Sequence, residues 1–250
     1  FTYRVFADPV DGRPLDGPTV DVTPHPTGVP GIAPPAFVSP SLVTIDGLPR
    51  PDGTHDSWLP RDANETIGLH AESFADRTSP DGFSAGDVRP TTSAPGFFDR
   101  AYDPTLAPLA SDDQSMGSAT ELFYVASYLN DYFYASGFDE RAANAQRTNF
   151  GRGGAEDDPI VTQAQDAADT GARDNASMWT PEDGVSPYMS VLLWTAEVAR
   201  ELEIDGTALD PGPSIAHFGP TDYDVTGELV LAADEVAPET DACTPLANDA

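Results

Sequence analysis

Ser118-Ala119-Thr120-Glu121-Leu122-Phe123-Tyr124-Val125-Ala126-Ser127-Tyr128-Leu129-Asn130-Asp131-Tyr132-Phe133-Tyr134-Ala135-Ser136-Gly137 is the stretch whose reading decides the fold. Ser118 to Glu121 has the form of a capping box, so a helix is predicted to begin there. Leu122, Val125, Leu129, Tyr132 and Phe133 then recur at spacings of three and four, which draws one apolar face along a helix of about 118–135. Gly137 is placed to end it in the left-handed conformation. Six aromatic side chains on this one element imply burial on more than one side.

The chain around this helix reads as short strands and turns. Tyr3-Arg4-Val5-Phe6 and Ser41-Leu42-Val43-Thr44-Ile45 are strand candidates, the second ended by Asp46-Gly47. Between them Pro24, Pro26, Pro30, Pro34 and Pro35 exclude regular structure. After the helix comes a glycine-rich and then acidic loop over 149–158. A further helical stretch is expected near 159–168, and a buried strand from Met189 to Trp194. Asp-Gly, Asp-Pro and Gly-Pro pairs in 205–213 have linker chemistry, which places a domain boundary near 205. Residues 223–227 and 228–231 read as two short strands of a second, β-rich unit. The fold class expected is α+β.

Charge narrows the partners. The 250 residues carry 42 acidic and 12 basic side chains, a net charge of −30, and every basic residue is Arg. Such a field repels nucleic acid and anionic membrane surfaces. The carboxylates are dispersed, as on a highly soluble surface; adaptation to high salt, or carboxylates holding Ca²⁺, are the sharper alternatives. No stretch nears the roughly 20 apolar residues that span a bilayer. The chain opens Phe1-Thr2-Tyr3-Arg4, with neither Met nor a signal peptide, as a processed or excised chain would. Cys243 is the single cysteine and in a secreted protein would want a partner.

Tested for chemistry by spacing, the segment holds no complete catalytic constellation. His25, His55, His70 and His217 include no pair within one helical turn, so the two-histidine zinc motif is missing. His70-Ala71-Glu72 reads as a loop pair. No Gly-x-Ser-x-Gly elbow is present. Gly151-Arg152-Gly153-Gly154 lacks the Lys-Ser/Thr that grips nucleotide phosphate and runs straight into Glu156, Asp157 and Asp158. Those three carboxylates could ligate calcium from a flexible loop.

Seven stretches stand out in order: Tyr3 to Pro14; Glu121 to Asp131 closing with Ser136-Gly137-Phe138-Asp139-Glu140 and Ala143-Asn144-Ala145-Gln146; Asn149-Phe150-Gly151-Arg152-Gly153-Gly154; Ala164-Gln165-Asp166; Asn175-Ala176; Thr180 to Gly184; and Met189 to Trp194. Together they resemble the fungalysin family of secreted zinc metallopeptidases. The resemblance covers about 1–195. It implies a thermolysin-like architecture in which residues 1–204 are the β-rich N-terminal lobe with one long central helix. Zinc is then held by a His-Glu-x-x-His helix and a later Glu in the rest of the peptidase chain beyond Ala250, and the substrate is an extracellular peptide or protein. By the same resemblance Asn175 and Ala176 are the substrate-binding pair that orients an extended peptide at a sheet edge.

The tail, through Phe218-Gly219-Pro220, Asp224 to Gly227 and Asp241 to Leu246, resembles the start of a protease-associated domain over 205–250. That likeness implies a partner for Cys243 further downstream. Departures from the family pattern stand at Leu69 and His70, at Ala126 and Ser127, at Asn130, at Asp174 and at Tyr188. They favour a rival reading, a non-catalytic secreted binding or structural module; the glycine loop and the Met189 strand favour the peptidase. A calcium-dependent surface protein is the third alternative.

Overall fold

The computed structural model describes residues 1–15 and 39–194, with the backbone of 203–204 and 207–208. Contacts divide the chain into two units, 1–199 and 200–250. In the second unit two short strands, Glu203–Ile204 and Thr207–Ala208, pair antiparallel. The strand expectations at 223–231 and the protease-associated resemblance lie outside the described residues.

The first unit is mixed α and β, with one helix against two sheets. β1 (Thr2–Val5) lies between β2 (Ser41–Thr44) and β4 (Phe97–Phe98), antiparallel to the first and parallel to the second. The second sheet runs in the order β3 (Ala71–Ala75), β5 (Ile160–Asp166), β7 (Tyr188–Leu192), β6 (Ala176–Trp179), with β6 at its edge. β3, β5 and β7 are parallel, and β6 returns antiparallel to β7. Helix α1 (Asp112–Tyr134) packs on β1, β3 and β5.

The helix begins six residues before the sequence expectation. Ser111, not Ser118, is the N-cap, and its side chain accepts from the Gln114 N–H at 3.2 Å. Asp112 and Asp113 occupy the first turn, where the helix dipole favours negative charge. The capping-box pattern at Ser118 to Glu121 lies inside the helix, one residue after Gly117. Gly117 is retained inside the helix because a Cβ there would stand 3.1 Å from Arg100 O and Tyr102 N. Ser111→Ala is expected to cost about 1 kcal/mol, measured by urea unfolding, because the cap bond has no replacement. The other end closes as expected: Gly137 has φ 101, Phe138 N–H donates to Phe133 O and Gly137 N–H to Tyr134 O.

The face that α1 buries differs from the expected one. Phe123, Tyr124, Ala126, Ser127 and Asn130 point inward, whereas Leu129, Tyr132 and Phe133 are exposed. Close approach decides this. A Cβ on Gly68 would meet the Phe123 ring at 2.8 Å, so only small or flat groups fit between helix and sheet. The buried polar side chains are partly matched to backbone, as where Asn130 Nδ2 donates to Ala145 O at 3.0 Å. The core is aromatic: Tyr3 stacks on Phe98 with centroids 5.6 Å apart, Trp58 meets Tyr124 edge-on at 5.3 Å, and Tyr124 OH donates to Gly12 O at 2.5 Å.

Most of the stretch 159–168 is not helical: Ile160–Asp166 is β5, a largely buried interior strand, and only at Ala168 does a single 3-10 turn, Ala168–Thr170, begin. The Met189 segment is a strand, β7, but only half-buried rather than buried, because α1 does not reach across to it.

Candidate functional site

Among the described residues β6 is the free edge of the second sheet, and all four of its residues are exposed. Its hydrogen-bonding parity follows from one bond. Leu192 N–H donates to Asn175 O at 3.0 Å, and the register continues Ala176↔Val191, Ser177↔Ser190, Met178↔Met189, Trp179↔Tyr188. In an antiparallel ladder the bonded pairs alternate, so Asn175, Ser177 and Trp179 turn their backbone groups toward β7. The backbone groups of Ala176 and Met178 point off the edge. Ala176 N–H is taken by Asn175 Oδ1 at 2.9 Å. The Ala176 C=O and the Met178 N–H and C=O are thereby presented outward, a ready template for another strand.

The two residues singled out by sequence, Asn175 and Ala176, therefore lie side by side at the start of this edge. Asn175 folds its carbonyl back onto its neighbour and leaves its exposed Nδ2 to solvent.

What holds the edge in place is the glycine loop. Phe150, Gly151, Gly153, Gly154 and Asp157 all have positive φ, so the chain doubles back tightly. A Cβ on Gly154 would sit 2.4 Å from Glu140 O, which only glycine avoids. Asn149 is buried inside the loop and donates to Gly153 O and Ala155 O, both at 2.6 Å. Arg152 reaches out to Glu140 at 2.5 Å and Asp56 at 2.6 Å. On its far side the loop is tied to the turn before β7: Ala155 N–H donates to Asp183 Oδ2 at 2.9 Å and Gly184 N–H to Asp158 Oδ2 at 3.0 Å. Two hydrogen bonds thus join the glycine loop to the turn that leads into β7.

The carboxylates of the acidic loop are taken up by protein partners. Glu156 accepts from Asn149 N–H, Asp158 from Gln146 N–H and Gly184 N–H, and Asp157 lies beside Arg147. The three carboxylates face different partners and do not gather as calcium ligands. Among the described residues the carboxylates that converge are Asp76, Asp81 and Asp166, each offering an oxygen within 4.8 Å of the others. Gln163 Nε2 bridges Asp76 and Asp81 at 2.8 Å each. Burial raises the Asp76 carboxyl to about 6. Such an all-oxygen set has none of the imidazole or thiolate donors that zinc prefers, so the described residues do not fit a zinc centre.

His70 and Glu72 are not a working pair. His70 is buried against α1, with Nε2 3.1 Å from Asp131 Oδ1, and Glu72 pairs with Arg147. The departures at Leu69, His70, Ala126, Ser127 and Asn130 are all buried interior positions, distinct from the exposed β6 residues. A cleft of about 1020 Å³, lined by Trp58, Leu69, Arg147 and Phe150 among others, contains none of residues 175–179.

With the lobe, its glycine loop and its free edge in view, comparison places the chain in a family. A family model described as "Fungalysin metallopeptidase" matches residues 44–218, and the chain belongs to that family. It is similar to "Extracellular metalloproteinase 5" of Trichophyton tonsurans, 38% identical over 114 residues, covering 45% of this chain and 18% of the relative. The protein of the same name from Arthroderma otae is 31% identical over 157 residues, 61% of this chain and 24% of the relative. "Extracellular metalloproteinase MEP" of Pyricularia oryzae is 32% identical over 140 residues, 55% of this chain and 21% of the relative. The matched chain spans roughly a fifth of the length of these relatives. No helix among the described residues is long and apolar enough to cross a membrane.

Proposed function

We propose that the protein is a secreted zinc-dependent metalloendopeptidase acting on extracellular proteins, and that residues 1–204 form the lobe that receives the substrate, with 205–250 beginning a protease-associated insert. The observation that carries this reading is the free edge of β6 in a chain of the fungalysin family. An extended peptide adds to that edge as a fifth strand. Ala176 C=O accepts a peptide N–H, Met178 N–H donates to a peptide C=O, and Met178 C=O accepts the next N–H. Asn175 fixes the direction of the Ala176 amide through its 2.9 Å bond and offers Nδ2 to a substrate carbonyl. The Arg152–Glu140–Asp56 bridges and the Asp158–Gly184 contact keep this edge from shifting when the peptide docks. Zinc, which in this family polarises the attacked carbonyl and the attacking water, is held on this reading by residues outside those described here.

The test is made in the full-length protein. Met178→Pro removes only the outward N–H of an edge strand, and Asn175→Ala removes the amide. Each is expected to lower kcat/KM on casein at least tenfold, the loss of one to two hydrogen bonds to substrate, with an unchanged melting temperature. Activity should vanish with 1,10-phenanthroline and return with Zn²⁺. Undiminished hydrolysis by Met178→Pro would remove the edge from the account.

A further inference from the structure

The edge strand has two rows of side chains on the face opposite α1, and they differ in chemistry. Ala71 joins Phe123 and Tyr124 in the core, so the odd positions of β3 face the helix and Glu72 and Phe74 face away. Register then carries that outer face across the sheet. One row runs Glu72, Val161, Tyr188, Trp179. The next, two residues along, runs Phe74, Gln163, Ser190, Ser177.

At the edge the first row is aromatic. Trp179 and Tyr188 pair across the strands with ring centroids 6.1 Å apart and planes tilted by 44°. Both remain open to solvent, at 56% and 41% exposure. Phe74, at the far end of the second row, shows what a finished part of this face looks like: Phe83 packs on it edge-on at 5.2 Å and the Arg89 guanidinium lies 5.3 Å from its ring. Nothing among the described residues covers Trp179 in this way. The second row is polar and backed by acid. Ser190 Oγ is bonded to Asp166 Oδ2, and Gln163 holds Asp76 and Asp81. Ser177 at the edge is small and leaves the approach to Asp166 open.

We propose that Trp179 and Tyr188 form the specificity wall for the bound strand, selecting a large apolar side chain in register with Trp179 and a basic side chain two residues away, in register with Ser177. The inference rests on the strand-addition reading of β6. A residue opposite Trp179 would have its Cβ about 5 Å from that of Trp179, in contact with the indole and, at its tip, the phenol. A long basic side chain opposite Ser177 crosses the serine toward the Asp166 carboxylate, which reaches from β5 to bond Ser190 on β7, two strand spacings of about 4.8 Å from the added strand. A side chain pointing to the other face meets Ala176 or Met178, which ask for no charge. The bound segment therefore reads apolar–any–basic.

The test is titration of the 250-residue chain with Ac-Ala-Phe-Ala-Arg-Ala-amide and its reverse sequence, followed by calorimetry and by the backbone amide resonances of β6. One of the two directions is expected to bind. In that peptide Phe→Ala should weaken binding about tenfold and Arg→Glu at least as much. Trp179→Ala should abolish the discrimination between Phe and Ala while leaving that between Arg and Glu; Asp166→Asn should do the reverse. If the peptides bind with perturbation at Met178 but Phe→Ala and Arg→Glu have no effect, the specificity wall is overturned and strand addition stands. If neither direction binds and the Met178 amide does not move, both are overturned.

Discussion

Replacing Asp131 by alanine should destabilise the structure by about 2–6 kcal/mol, the sum for leaving two donors without their acceptor at about 1–3 kcal/mol each. Asp131 sits near the end of α1, where it accepts two hydrogen bonds and lies against a buried histidine. Its Oδ2 accepts from the Trp58 indole N–H at 2.6 Å and from Leu48 N–H at 2.8 Å, and its Oδ1 lies 3.1 Å from His70 Nε2. Trp58 and His70 are fully buried, so water cannot replace the lost acceptor. Each orphaned donor costs about 1–3 kcal/mol. His70 does not enter this sum, because its Nε2 lies near Oδ1 without hydrogen-bond alignment. Asp131→Asn should cost less, since its amide oxygen can take the place of Oδ2 toward Trp58 and Leu48 while its N–H₂ faces only His70 Nε2. Urea unfolding measures both; a loss under 1 kcal/mol for Asp131→Ala would show that the two hydrogen bonds are not what locks α1 to the 46–58 segment.

The second large effect is a stability that falls as pH rises through neutrality. Glu121 accepts the Phe6 N–H at 2.8 Å from within the helix–β1 contact, and burial pushes its carboxyl up to about 7. A carboxyl whose folded value lies above its unfolded one binds its proton more tightly when folded. Its stabilising contribution is complete below the unfolded value near 4.5 and is lost as pH climbs through about 7. Asp76 acts in the same sense up to about 6. Hydrogen bonds from Ser84, Thr78 and Arg77 hold Asp87 below the usual carboxylate range despite partial burial, so at still lower pH the balance reverses. Glu121→Gln keeps an acceptor for Phe6 and removes the buried charge. At pH 8 it should be more stable than the parent by about 2–3 kcal/mol, and at pH 4.5 equal to it. Parallel pH–stability curves for the two proteins would show that Glu121 is not titrating in the fold.

What could be read along the chain and what could not divide on a physical line. β1 and β2 were legible because Val5 and Val43 alternate with half-exposed neighbours, the period of a sheet with one wet face. β5 was read as helix because Thr162, Gln163, Ala164 and Gln165 are all buried, on both faces, so no alternation survives. Its polar side chains are satisfied by Ser73, Asp76, Asp81 and Ser115, partners 50 to 90 residues away that no local pattern reveals. β3 has no β-branched residue, and β6 is exposed throughout, so neither announced itself. The Asn175-Ala176 pair was found only through family resemblance. Its place on a free edge follows from three-dimensional strand order. Trp179 and Tyr188, nine residues apart along the chain, become neighbours only once β6 pairs with β7. The apolar stripe of α1 was correctly seen as apolar, yet the helix buries its flatter, smaller face.

The most direct measurement of the central claim is residue-resolved amide hydrogen exchange along β6. Ser177 and Trp179 donate inward to β7 and should already be protected in the free chain; Met178 should exchange fast. On addition of a bound extended peptide, Met178 alone of the three should gain protection, by tenfold or more. Slow exchange at Met178 in the free chain, or protection on peptide binding that skips Met178, would contradict the account.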